Sequence, residues 1–247
     1  MKKFEDEVAS RVELNGRDYA FRAGTRAFML PSLTAQYSYN FSWMGRPIIQ
    51  YPQDMIALQE IIWSGQPDLI IETGIAHGGS LIFSAAMLEL NAACGGNMDA
   101  EVLGIDIDIR AHNREAIEAH PMSRRITMIQ GSSIDPNIVE KVRAKAADKP
   151  RVLVCLDSNH THAHVLAELE AYAPLTSVGS YCVVFDTVVE DIPDEMIVDR
   201  PWGAGNNPKT AVREYLKCHS EFQIDKQIDH KLMISVAPDG YLKRVRL

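Results

Sequence analysis

From Pro67 onward the chain alternates short apolar runs with longer stretches in which apolar residues recur at helical spacing. The runs at 69–73, 102–107, 126–129, 152–156 and 181–185 read as strands, and 80–94, 110–119, 136–147 and 160–173 as the helices between them. Near-continuous apolar strands separated by helices predict a parallel sheet covered on both faces. The pattern then changes: a helix over 208–218 precedes runs at 222–227 and 231–236, close enough to pair antiparallel. The expected fold is therefore α/β, a Rossmann-like doubly wound sheet, mostly parallel, with an antiparallel C-terminal hairpin.

Residues 1–65 behave differently. They carry scattered aromatics (Phe4, Tyr19, Phe21, Phe28, Tyr37, Trp43) and no clean alternation, until Asp54 stands as a plausible N-cap before a helical pattern of Met55, Leu58, Ile61 and Ile62. We read 1–65 as an N-terminal cap region and 66–247 as the main domain. Residues 1–50 either cover the ligand edge of the sheet or serve stability alone.

The first strand of the alternating part leads into a distinctive turn, Glu72-Thr73-Gly74-Ile75-Ala76-His77-Gly78-Gly79-Ser80. Glycines allow a sharp turn and close approach of a ligand, and Ser80 can cap the following helix. A P-loop needs Lys after its last Gly, where Ser80 stands. The dinucleotide fingerprint would place Ala76 at its central Gly, where pyrophosphate needs room. An acid at the strand end with no phosphate cradle suits a cationic ligand such as S-adenosylmethionine, whose amino and sulfonium groups Glu72 would favour.

With 247 residues the chain can form one large α/β domain and a small appendage. Its formal net charge of -8 argues against nucleic acid or an anionic membrane as the main partner. No apolar run is long enough for a membrane span, and the first residues lack the apolar core of a secretory leader. Four cysteines without C-x-x-C spacing point to a reduced, cytoplasmic setting.

Ligands of a doubly wound sheet bind at the carboxyl ends of its strands. Asp106 or Asp108, after the second strand, could accept ribose hydroxyls, and Ser132 after the third could meet an adenine edge. Asp157 and Asp186 end the fourth and fifth strands and could share one hard cation, which would orient and acidify an acceptor hydroxyl. His160 lies nearest the strand end and suits a general base or substrate contact, whereas His162 and His164 read as surface or packing residues. Trp202 sits in a long loop rich in Pro, Gly and Asn that reads as a lid over the acceptor.

Together these residues resemble the cephalosporin hydroxylase / rhamnosyl O-methyltransferase family of class I S-adenosylmethionine-dependent methyltransferases. The resemblance rests on Trp43-Met44-Gly45-Arg46-Pro47 with Gln50 and Pro52, on the Glu72–Ser80 turn, on Gly104-Ile105-Asp106-Ile107-Asp108, and on Leu156-Asp157-Ser158-Asn159-His160-Thr161. Tyr172-Ala173-Pro174-Leu175 and 183–187 agree as well. It implies a class I methyltransferase fold, S-adenosylmethionine as cofactor, Mg²⁺ or a similar cation, methylation of a hydroxyl on a small molecule such as a sugar or glycoside, a place in carbohydrate or natural-product biosynthesis, and a homo-oligomer. The resemblance makes Gln50, Glu72, Gly74, His77, Gly78, Gly79, Ser80, Asp106, Asp108, Ser132 and Asp157 the cofactor contacts. Asp157 and Asp186 become metal ligands, His160 and Asp157 catalytic groups, and His160 and Trp202 acceptor contacts. One departure is that relatives tend to carry two adjacent acids after the fifth strand, and the first is Phe185 here, which weakens metal binding and puts more of the burden on His160; Asn159 could supply a replacement ligand. Two other readings stay open: an NAD-dependent oxidoreductase or epimerase on the same sheet, and a non-catalytic S-adenosylmethionine-binding protein.

Overall fold

The computed structural model describes residues 2–197 and 199–247. It opens with two helices, α1 (Lys2–Arg17) and α2 (Tyr19–Thr34), and a small antiparallel hairpin of β1 (Ser42–Trp43) and β2 (Arg46–Pro47). Then come α3 (Pro52–Gly65), β3 (Leu69–Thr73), α4 (Gly79–Ala93), β4 (Glu101–Asp106), α5 (Ala111–Glu118), β5 (Ile126–Gln130) and α6 (Pro136–Ala146). β6 (Val152–Leu156), α7 (His162–Tyr172), β7 (Tyr181–Val184), α8 (Pro208–Tyr215), β8 (Phe222–Ile224), α9 (Lys226–Leu232) and β9 (Tyr241–Arg244) complete the order.

The main sheet runs β5-β4-β3-β6-β7-β9-β8, parallel from β5 to β7, with β9 antiparallel to both its neighbours. The chain winds outward from β3 in one direction and returns to start the other half at β6. The carboxyl ends of β3 and β6 therefore flank the switch-point crevice, where such sheets bind ligands. Burial explains the near-continuous apolar strands. Ile70, Leu153, Cys155 and Val183 pack with α3, α4 and α5, while Leu69, Ile71, Val152, Val154 and Val184 pack with α6, α7 and α8. Each such fully buried aliphatic side chain stabilises the fold by roughly 2 kcal/mol. Among the described residues no helix is long and apolar enough to cross a membrane.

The structure corrects four expectations. The irregular N-terminal region contains two helices of 16 residues each. Most of their side chains stay exposed, with Val12, Met29 and Ser32 the buried ones, so no core-facing stripe marks them in the sequence. The C-terminal pair is formed by β8 and β9, not by 231–236. Asp225 accepts from Gln227 N and caps α9, which runs into the first two residues of the expected second strand, and the buried Tyr241 and Leu242 supply that strand instead. Helix α7 starts at His162, so His160, expected to open that helix, precedes it.

Asp54 is the fourth. Tyr51 holds the N-cap position of α3, and Asp54 lies one turn inside, fully buried. Its carboxylate accepts from Ser235 Oγ (2.6 Å), Val236 N (2.9 Å) and Tyr241 Oη (2.8 Å), joining α3 to the C-terminal strand region. Burial pushes its carboxyl up to about 6, against the pull of those three donors. Asp54→Ala strands all three donors, and we expect a loss of roughly 3 kcal/mol of stability, read as a lower denaturation midpoint.

Candidate active site

The crevice is lined by carboxylates because three neighbouring strands end in acids. Glu72 is the penultimate residue of β3, Asp157 follows β6, and Asp186 lies just past β7. The β3–β6 register places Thr73 opposite Leu156, and Asp157 continues it: its N–H donates to Thr73 O at 2.9 Å. Close approach here requires glycine. Gly74 has φ of +89°, and a Cβ on it would lie 2.0 Å from Asp157 O.

Asp157, His160 and Asp186 each offer a ligand atom within 4.8 Å of the other two. His160 Nε2 is 3.1 Å from Asp186 Oδ2. Gln50, 4 % exposed, donates from Nε2 to Asp157 Oδ2 at 3.3 Å, while its Oε1 is buried with no partner. Burial, followed by the charges of Asp186, Glu72, Glu168 and Asp54, pushes the Asp157 carboxyl well above the usual carboxylate range. Among the described residues, no Lys or Arg pairs with Asp157, Asp186 or Glu72. So many acids with one imidazole between them, plus an orphaned amide oxygen, fit a bound cation.

The glycine turn is shaped by protein contacts as much as by a ligand. Gly78 (φ +82°) lies against Ile117, and a Cβ on Gly79 would meet Pro47 O at 2.1 Å. Gly78 and Gly79 are both buried. Gly78, not Ser80, holds the N-cap of α4; the Ser80 hydroxyl instead donates to Glu72 Oε1. Burial pushes the Glu72 carboxyl up to about 7, with that hydroxyl opposing the rise. A buried acid with a single neutral partner fits a cationic ligand group. Asp106 Oδ2 accepts from Ile75 N (2.7 Å) and Ala76 N (3.3 Å), so it braces the turn. Asp108 is exposed, 3.9 Å from Arg110, outside this arrangement. His77 lies on the turn; its carbonyl accepts from Arg46 Nε and Nη2. Arg46 and the buried Asn113 were not read as site residues. Arg46 Nη2 donates to Asn113 Oδ1, and Asn113 Nδ2 donates to Ala76 O, a brace across 67 positions that no local pattern marks.

On the acceptor side the Trp202 ring stands edge-on to His160, centroids 4.8 Å apart, with Arg200 over its face. Asn159 Oδ1 accepts from both the N–H and the hydroxyl of Thr161, which ties it into the turn. His162 bonds Thr210 Oγ1, and His164 approaches Ser133 Oγ and Ser158 Oγ at 3.1 and 3.2 Å; both are packing residues, as expected. Ser132 lies in the turn after β5, where Gly131 N donates to Asp106 O. Phe185 is buried in the apolar cluster of Val183 and Tyr241, so the position before Asp186 offers the site no oxygen.

The sheet order and the acid-lined switch point define a class I methyltransferase fold. The family model described as Rhamnosyl O-methyltransferase/CmcI matches residues 35–245, and the chain belongs to that family. It is similar to rhamnosyl O-methyltransferases of Mycobacterium leprae (30 % identity over 207 residues, 82 % of each chain) and Mycobacterium tuberculosis (29 % over 208 residues, covering 82 % of this chain and 78 % of the relative). A solved CmcI structure with Mg and SAM superposes with a TM-score of 0.57 at 22 % identity, over 84 % of this chain and 78 % of that one. The expected S-adenosylmethionine-dependent O-methyltransferase is borne out, and the oxidoreductase and non-catalytic readings are set aside.

Glu72 generates a signed prediction. Its folded-state carboxyl holds a proton to about pH 7, against 4.5 when exposed, so its favourable contribution is complete below pH 4.5 and is lost as pH rises through 7. Glu72→Gln should match the wild type at pH 5 and exceed it at pH 8 by up to roughly 3 kcal/mol in ligand-free denaturation.

Proposed function

We propose that this enzyme transfers the methyl group of S-adenosylmethionine to a hydroxyl of a sugar or glycosyl unit, with help from a divalent cation. The observation that carries the reading is the pairing of two unneutralised acidic subsites in one crevice, Glu72 beside the glycine turn and Asp157 with Asp186. The names of the relatives support a rhamnose-type acceptor, and Mg²⁺ in the CmcI structure supports the cation.

In this reading Glu72, the 74–80 turn, Asp106 and Ser132 hold the donor, whose sulfonium methyl is already electrophilic. The protein's task is then alignment and removal of one proton. A cation at Asp157 and Asp186 would lower the pKa of the acceptor hydroxyl. His160 or Asp157 takes the proton, and Trp202 walls the acceptor. Residues 1–65 form a cap, of which β1, β2 and Gln50 reach the crevice. Four free cysteines suit a reducing, cytoplasmic setting.

A homo-oligomer belongs to the same reading. Phe4, Leu14, Tyr19, Phe21 and Phe28 on α1 and α2 are exposed, and a second copy of this chain would cover them. Light scattering should give a multiple of 27.6 kDa, and Phe21→Glu with Phe28→Glu should lower that mass; a monomeric wild type would defeat this element.

Calorimetry with S-adenosylhomocysteine tests the donor site. We expect micromolar binding, weakened at least roughly tenfold by Glu72→Ala, because the change removes a buried acid beside the glycine turn that would favour the ligand's amino group. Methyl transfer to a panel of rhamnosyl glycosides and sugar nucleotides tests the acceptor; Asp157→Ala should abolish it while the donor still binds. Absence of donor binding would sink the proposal.

A further inference from the structure

The turn between β3 and α4 holds one residue in a conformation that its side chain does not favour. Gly78 N donates to Ile75 O at 2.7 Å, which makes Ala76 and His77 the central pair of a β-turn. Ala76 has φ of +45°, at a position where such turns take glycine. A left-handed backbone at a residue with a Cβ persists only where its surroundings impose it. Ala76 is exposed, so burial of its methyl group does not supply the constraint.

Hydrogen bonds from three separate elements do. Asp106, at the end of β4, takes the N–H groups of Ile75 and Ala76. Asn113 on α5, 3 % exposed, donates from Nδ2 to Ala76 O at 2.9 Å. Arg46, on the N-terminal hairpin, donates from Nε and Nη2 to His77 O at 3.0 and 2.6 Å, and from Nη2 to Asn113 Oδ1 at 3.0 Å. One guanidinium thus grips the turn directly and also orients the amide that holds its other carbonyl. The planar fork serves both acceptors at once, which the point charge of a lysine does not reproduce. The hairpin itself is seated by other contacts. Trp43 stands edge-on to Phe83 of α4, centroids 4.9 Å apart, His120 Nε2 lies 3.1 Å from Met44 O, and Ile48 is buried in the core.

We infer that Arg46 is a positioning residue for the donor: through His77 O and Asn113 it keeps Ala76 left-handed and so presents the turn already shaped for its ligand. The N-terminal hairpin thereby sets donor affinity, beyond covering an edge of the crevice. The alanine is what makes the brace matter. Without Arg46, a turn with a Cβ at position 76 relaxes toward negative φ and must be re-formed on binding. Glycine at that position would adopt the same conformation unaided. The inference rests on the reading of the 74–80 turn as the donor subsite.

The test is calorimetric titration of S-adenosylhomocysteine into the wild type, Arg46→Ala, Ala76→Gly and the double variant. Arg46→Ala should weaken binding at least roughly tenfold, and Ala76→Gly alone should stay within about threefold of the wild type. The double variant should regain at least roughly threefold over Arg46→Ala, a non-additive recovery. A brace that served the fold alone would lower the denaturation midpoint of Arg46→Ala and give no such recovery. Arg46→Lys, which keeps the charge and the stem, should bind at least roughly fivefold more weakly than the wild type, and it carries the test if Arg46→Ala does not fold. Wild-type affinity in either Arg46 variant, or a double variant no tighter than Arg46→Ala, would overturn this inference and leave the donor reading standing. A wild type that binds no S-adenosylhomocysteine would overturn both.

Discussion

Three carboxylates ending adjacent strands of one parallel sheet cannot all stay ionised in a shared crevice without a compensating cation. That constraint underlies the arrangement of the site. Parallel pairing of β3 with β6 and of β6 with β7 brings the strand ends level, and the acids follow them into one place. At Asp157 burial comes first, and the charges of Asp186, Glu72, Glu168 and Asp54 add to it, all pushing its carboxyl up. A fold tolerates such crowding where a ligand offsets it, which is why strained electrostatics of this kind gather at functional sites.

The protein holds this crevice open with contacts that are not themselves chemical. Gly74 lets the β3 end lie against Asp157, and Gly79 lets α4 lie against Pro47 of the hairpin. Arg46 and Asn113 fasten the turn from outside through the carbonyls of Ala76 and His77. The turn is thus braced before any donor arrives, which reduces the ordering cost of binding.

The loop carrying Trp202 is tied down in the same manner. Glu190 accepts from Gly205 N at 2.8 Å and pairs with Arg213 at 3.2 Å, and Asn207 caps α8 through a capping box with Thr210. His162 at the start of α7 joins the network through Asn206 Oδ1 and Thr210 Oγ1. The histidine run thus divides its labour. His160 faces the crevice, His162 secures the loop, and His164 packs toward the end of β5.

Period alone told strand from helix through the alternating core, because strands buried on both faces and helices buried on one leave different apolar spacings. The excluded phosphate loops and the acids at the strand ends were equally legible, since strand-end chemistry follows directly from strand position. Helices α1 and α2 were not, because helices with few buried side chains carry no core-facing stripe, and α9 was hidden because Ile228 and Leu232 are its only apolar residues, too few to show a period. Tertiary structure alone decided which polar residues meet. Asp54 left its apparent cap for donors more than 180 positions away, Ser80 turned from capping α4 to bonding Glu72, and Gln50 reached Asp157 across 107 positions. Local spacing governs which backbone forms, whereas the partners of a buried polar group are set by whatever the packed fold brings within hydrogen-bond distance.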